Sequence, residues 1–177
     1  MSTMVESVTH TITHTITHTV VPTPLGPTTL VAHDGRLSAL LLPDSKYAPV
    51  QGPFGERDDD GFADARTQLA EYFAGTRTAF DLPLALVGTP FQVRVWEGLL
   101  TIPYGQTWSY GELAEAVGLD PRTSSRAVGA ANGRNRVAIV VPCHRVIGAD
   151  GSLTGFAAGL DRKRALLELE RGEGLLF

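Results

Sequence analysis

A single cysteine, Cys143, among 177 residues means that no disulfide can hold this chain together. Its fold must rest on buried apolar surface, and 43% apolar residues supply enough for one large domain or two small ones. The cysteine lies in the run Ile139-Val140-Val141-Pro142-Cys143-His144-Arg145-Val146, where a thiol, an imidazole and a guanidinium follow a β-branched stretch read as a strand, Val137 to Val141. A thiol is nucleophilic as thiolate, and its ordinary pKa of about 8.5 leaves a few per cent ionised at neutral pH. A neighbouring base or cation raises that fraction, and this run offers both. A two-cysteine redox cycle within the chain is excluded. A lone cysteine after a strand is also compatible with a small buried core residue.

No apolar run reaches the roughly 18 residues of a membrane span, and no signal-peptide pattern opens the chain. With one thiol and no export signal, the sequence points to the reducing cytoplasm. The net charge of -4 is unevenly spread: residues 1–83 carry -5 and residues 84–177 carry +1. Arg122, Arg126, Arg134, Arg136 and Arg145 occur with no acid between Asp120 and Asp150. Such a stretch can sit on a phosphate backbone although the whole protein is acidic; it is equally compatible with a solvated basic face.

Residues 1–20 carry a four-residue Thr/His repeat, from Thr9-His10-Thr11-Ile12 to Thr17-His18-Thr19-Val20, read as a disordered or strand-like tail that holds no metal. If it is extended, His and Ile share one face and Thr the other. Residues 21–42 read as a hairpin, with strands at 28–32 and 37–42 around a turn at His33-Asp34-Gly35-Arg36. Phe62, Ala65, Leu69, Tyr72 and Phe73 predict a helix ending at Gly75, and Phe80 to Leu84 a short strand. Thr89-Pro90 reads as N-cap and first residue of the next helix, and Ser109-Tyr110-Gly111-Glu112 as a capping box. A turn through Pro121 and a helix over 123–131 complete a helix-turn-helix pattern. Asp150-Gly151 reads as a hairpin turn between Val146-Ile147 and Leu153-Thr154, a wing. Asp161 reads as the cap of a final helix, Arg162 to Glu170.

Taken together, Arg126-Ala127-Val128-Gly129, Asn135, Pro142-Cys143-His144-Arg145-Val146-Ile147-Gly148, Gly155-Phe156-Ala157-Ala158-Gly159-Leu160 and Lys163 through Glu170 resemble the O6-alkylguanine-DNA alkyltransferase family. The resemblance covers residues 89–177 strongly and 21–84 more weakly. It implies an α+β protein, with an RNase H-like N-terminal domain over 21–84 and a winged helix-turn-helix alkyltransferase domain over 89–177. The implied partner is double-stranded DNA carrying alkylated guanine, with no membrane partner. The implied state is a monomer, with cooperative assembly on DNA left open.

The implied activity is direct, single-turnover repair, in which an alkyl group moves from guanine O6 (and thymine O4) to Cys143 without a cofactor. The damaged base is flipped out through the minor groove. In that pattern His144 takes the thiol proton through a water, Glu170 holds the imidazole, and Asn135 braces the turn. Tyr110 donates a proton to the guanine ring, and Lys163 lies near the leaving base. The carbonyls of Cys143 and Val146 and the amide of Ala157 read the base, beside the aromatic wall of Phe156. Arg126 fills the gap in the stack. Ala127, Gly129 and Ala130 let the helix approach the groove, with Arg122, Arg134, Arg136 and Arg145 on the phosphates.

Three positions depart from the family pattern. Arg136 stands where Pro usually follows the Asn, Phe156 where Tyr is common, and Ala158 where Gly is common. The lone cysteine also excludes the Cys-ligated zinc of some relatives. A lesion-sensing relative would lack Cys143, and a winged-helix regulator would need more base-reading side chains than Arg126 on residues 126–131. A Cys-His hydrolase would turn over esters without DNA.

Overall fold

The computed structural model describes residues 13–46 and 54–175. Strands β1 (Ile16–Thr23), β2 (Gly26–His33) and β3 (Arg36–Leu41) form an antiparallel meander, and β4 (Glu56–Arg57) pairs in parallel with the free edge of β1. The β2–β3 turn falls at Asp34-Gly35, with φ of 50° and 75°. Asp and Gly tolerate this left-handed region, and such turns match the twist of paired strands. The Asp34 carboxylate also ties down the start of β1, accepting from Thr15 N at 2.8 Å and lying 2.8 Å from His14 Nδ1.

Over residues 16–20 the strand-like reading of the repeat holds and the disordered one does not. Residues 16–20 belong to β1, whereas 1–12 lie outside the described residues. Threonines take most of the inward face of this strand, where Thr19, at 0% exposure, and Val21 are the buried residues. The Thr19 hydroxyl donates to Asp59 Oδ1 at 2.5 Å and accepts from Arg66 Nη2 at 2.7 Å, so burial leaves it satisfied.

Helix α1 (Ala63–Phe73) buries Ala65, Gln68, Leu69 and Tyr72 and stops before Gly75, whose φ is 75°. The strand expected over Phe80 to Leu84 is reduced to one bridge, Leu37 to Leu84. Pro83 has no N–H for a ladder. Instead the Gln68 side chain bonds both backbone groups of Asp81, at 2.9 and 2.8 Å.

The second half starts with α2 (Pro90–Leu99), on a capping box made by Thr89 and Gln92. Strand β5 (Trp108–Ser109) leads into α3 (Tyr110–Ala116), whose capping box is Ser109 and Glu112. Gly118, at φ 75°, turns the chain toward α4 (Pro121–Gly133). This helix is longer than expected because Asp120 caps it, accepting from Arg122 N at 2.9 Å, and Pro121 takes the first helical position. The wing also differs from expectation: β6 (Val146–Ile147) pairs with β5 in parallel, and Leu153-Thr154 forms no strand. The last helix, α5 (Leu160–Glu170), starts after Gly159 at φ 94°, with no side-chain cap; Asp161 lies in its first turn. One buried cluster runs from Leu30 and Tyr72 through Val95, Leu113 and Val128 to Leu166. Both halves of the chain therefore share a core.

Candidate active site

The segment before the cysteine is not a strand. Only Val137 bridges Leu40 of β3, and Ile139 takes φ 71° with its side chain 1% exposed. A β-branched residue is strained in that region. Burying Ile139 between the two halves holds the chain there, and the backbone folds into successive turns. Asn135 braces them, donating to Val141 O at 2.7 Å and accepting from Val137 N at 3.0 Å. The turn Cys143–Arg145 follows, presenting Cys143 to a pocket that also touches Asn132, Asn135, Phe156, Ala157 and Ala158.

Cys143 is 5% exposed, and burial pushes its thiol pKa up, with the Asn135 amide and the Lys163 charge pulling the other way. The resting group is therefore a thiol, and a base must remove its proton when it reacts. His144 is fully buried, and its Nε2 lies 2.7 Å from Glu170 Oε1. Burial pulls the imidazole pKa down, while the Glu170 carboxylate is held well below the usual range by its His144 and Arg145 partners. A neutral imidazole facing an ionised carboxylate carries its proton on Nε2. Its Nδ1 is buried without a protein hydrogen bond, so the lone pair there can accept a proton.

One expectation changes. Arg145 does not belong to the DNA-facing set. It is 7% exposed, and its Nε and Nη2 each donate to Glu170 at 2.9 Å, while Nη1 donates to Ile102 O at 2.7 Å. Lys163 is likewise fully buried: its Nζ donates to Val146 O at 2.5 Å and Thr154 O at 2.7 Å, tying two loops together. Burial lowers its pKa to about 8. Lys163 thus shares the Val146 carbonyl expected to read the base; a carbonyl has a second lone pair for that purpose.

Tyr110 is half-buried at the start of α3, its hydroxyl 3.1 Å from Thr154 O and 3.2 Å from Thr154 Oγ1. Gly129 of α4 packs over its ring, where an added Cβ would lie 3.4 Å from Cδ1. Arg122, Arg126, Ala127, Ala130, Arg134 and Arg136 are all exposed on α4 or just beyond it. The backbone at Ala157 is fixed from the first half of the chain, where Lys46 N donates to Ala157 O at 2.8 Å. Sequence reasoning missed Asn132, whose amide lies 3.5 Å from Cys143 O, and Tyr72 and Gly105, which both donate to Glu170. The capping boxes were visible locally; these contacts join distant segments and leave no local signal.

A buried thiol next in sequence to a hydrogen-bonded His-carboxylate pair, beside the second helix of a helix-turn-helix, is the arrangement of a cysteine-centred site on a nucleic-acid-binding scaffold. Residues 90–172 match the family model for the 6-O-methylguanine DNA methyltransferase DNA binding domain, and residues 16–86 match that for its ribonuclease-like domain. The chain is 52% identical over 151 residues to a methylated-DNA–protein-cysteine methyltransferase of Mycobacterium tuberculosis, covering 85% of this chain and 90% of that one. It is 48% identical over 149 residues to the Methanosarcina acetivorans protein of that name, covering 84% and 94%. The fold is similar to a crystal structure of Mycobacterium tuberculosis OGT in complex with DNA, with TM-score 0.84 and 49% identity over 90% of this chain and 95% of that one. The chain belongs to the methylated-DNA–protein-cysteine methyltransferase family. Among the described residues no helix is long and apolar enough to cross a membrane.

Proposed function

We propose that this protein repairs DNA directly in the reducing cytoplasm, moving an alkyl group from guanine O6, or thymine O4, onto Cys143 once per molecule. The observation that carries the reading is buried Cys143 lining a pocket beside α4, next in sequence to the hydrogen-bonded His144–Glu170 pair. The DNA relatives support the partner: one similar structure is a complex with DNA.

In the proposed reaction the Cys143 S–H bond breaks, and its proton passes through a water to Nδ1 of His144. The thiolate attacks the alkyl carbon in line with the C–O bond. That bond breaks, its electron pair stays on the guanine oxygen, and an S–C bond forms. Tyr110 donates its phenolic proton to the guanine ring as the negative charge develops. Glu170 stabilises the imidazolium. A thioether does not revert under these conditions, which makes the event single-turnover.

The lesion enters by flipping through the minor groove, and Arg126 fills the gap. Ala127, Gly129 and Ala130 let α4 sit close to the groove floor, while Arg122, Arg134 and Arg136 face the phosphates. The carbonyls of Cys143 and Val146 and the amide of Ala157 hold the base against Phe156. Lys163 acts by fixing the loops that carry those groups, and its charge opposes the rise in the thiol pKa. Residues 89–177 are the alkyltransferase domain and residues 21–84 the RNase H-like domain. A monomer suffices for this chemistry.

The deciding experiment is intact-protein mass after mixing with an oligonucleotide duplex containing O6-methylguanine, followed by peptide mapping. A stoichiometric gain of one methylene unit on Cys143, absent in Cys143→Ala while that variant still binds the duplex, is the expected result. Tight binding without mass gain would instead make the protein a lesion sensor.

A further inference from the structure

Glu170 is surrounded by donors, and one of them comes from the other half of the chain. Its Oε1 accepts from Tyr72 at 2.8 Å, from Arg145 Nη2 at 2.9 Å and from His144 Nε2 at 2.7 Å. Its Oε2 accepts from Arg145 Nε at 2.9 Å and Gly105 N at 3.2 Å. A carboxylate has roughly four lone-pair sites, so these donors compete for the same charge. Tyr72 is 0% exposed on α1, with its ring packed edge-on to Phe73 and Tyr104. Nothing in the reaction described above uses it.

We propose that Tyr72 is a positioning residue for alkyl transfer: by sharing Glu170 Oε1 with His144, it sets how strongly the carboxylate holds the imidazolium and so tunes the base that receives the Cys143 proton. The inference rests on the alkyl-transfer reading and deepens it. Because Tyr72 lies on α1, this element of the first half, otherwise remote from the chemistry, acts on the proton relay through one hydrogen bond.

The direction follows from the electrostatics. Burial and the facing carboxylate push the Tyr72 phenol pKa far up, so it stays a neutral donor throughout the working range. Each donor on Oε1 draws off negative charge that would otherwise stabilise protonated His144. The remaining groups facing the dyad are Arg145 from the cysteine turn, Tyr104 from the loop after α2, and Lys163 of α5 on the side of Cys143. Both cations disfavour imidazolium. Tyr104 is neutral, since burial and Glu170 raise its phenol pKa. Tyr72 therefore adds to the pull of the cations, keeping His144 free to accept a proton.

The test uses the full chain with a saturating O6-methylguanine duplex, measuring single-turnover methyl transfer from about pH 5 to 9. In Tyr72→Phe the acid limb is expected to move up by about half a unit, so that transfer at the foot of that limb falls roughly threefold. Difluorotyrosine placed at position 72 alone keeps the shape and donates more strongly, and the limb moves down. Iodoacetamide labelling of Cys143 over the same range reports the relay without DNA and shows shifts of the same sign. Profiles that superimpose on the parent's, even with a lower melting temperature, would overturn the proposal and leave Tyr72 a packing residue. If the parent transfers no methyl group, the repair reading fails by itself, and the labelling profiles still decide the role of Tyr72.

Discussion

His144 and Glu170 make opposite demands on protonation, and both make the fold sensitive to acid. The imidazole pKa is lowered from its ordinary 6.5, chiefly by burial. In the unfolded chain it takes up a proton near 6.5, whereas in the folded protein it resists until lower pH. Between those points the unfolded state binds more protons, and stability falls as pH falls. Glu170 is held well below its ordinary 4.5 by hydrogen bonds from His144 and Arg145. Its contribution is complete above about 4.5 and is lost as pH drops toward its folded value. Melting temperature should therefore decline from about pH 6.5 and more steeply below about 4.5. In His144→Gln the upper part of the decline should disappear; an unchanged slope in that window would assign the acid sensitivity elsewhere. At this scale the sequence made Cys143, His144 and Glu170 visible through a distinctive pattern. It misplaced Arg145 because a charged side chain advertises solvent, and its partner lies 25 residues ahead. Tyr72 is 98 residues from Glu170, so its alternation on α1 announced only a core aromatic.

At the level of elements, α4 combines two requirements that conflict. Gly at position 129 costs helix stability, by up to about 1 kcal/mol relative to Ala. A Cβ there would meet the Tyr110 ring at 3.4 and 3.5 Å, which is ordinary contact, so the interior of the protein does not demand glycine. On the repair reading, the demand comes from outside, where α4 must lie close to the groove. Gly129→Ala should raise the melting temperature or leave it unchanged while slowing transfer from duplex DNA. Transfer from the free O6-methylguanine base should be less affected. Equal slowing with both substrates would place the effect on Tyr110 and remove the groove argument. Caps at Thr89, Ser109 and Gly75 could be read locally because capping is a short-range matter. The Val137–Val141 segment could not. Its β-branched residues favour a strand, but Asn135 and the burial of Ile139 at positive φ override that preference. The start of β1 was obscured for a related reason, since a threonine face becomes buried only when Asp59 and Arg66 supply partners.

Across the whole molecule, the two halves are joined by backbone contacts around the pocket as well as by the shared core. Arg162 of α5 is the clearest joint. Its Nε donates to Leu25 O at 3.2 Å, and its Nη1 donates to Pro43 O at 2.8 Å and to Ala158 O at 3.0 Å. Leu25 and Pro43 belong to the first half, whereas Ala158 lines the pocket. One guanidinium thus fixes the pocket lip relative to the meander. It also reaches Asp44 at 3.4 Å, but that carboxylate side chain is 88% exposed and screened by solvent. The carbonyl contacts should dominate. Arg162→Met keeps the aliphatic stem and leaves three carbonyls without that donor, so it should destabilise by about 2 kcal/mol. It should also slow methyl transfer, because Ala158 is no longer held in place. Asp44→Asn, which removes the charge while suiting the left-handed backbone at that residue (φ 58°), should change stability by less than about 0.5 kcal/mol and leave transfer unaffected. Denaturant midpoints and transfer rates for the two variants distinguish the cases. Equal effects from both would mean that the ion pair carries the joint. A stability loss in Arg162→Met without slower transfer would mean that the lip is held by Lys46 and the core alone.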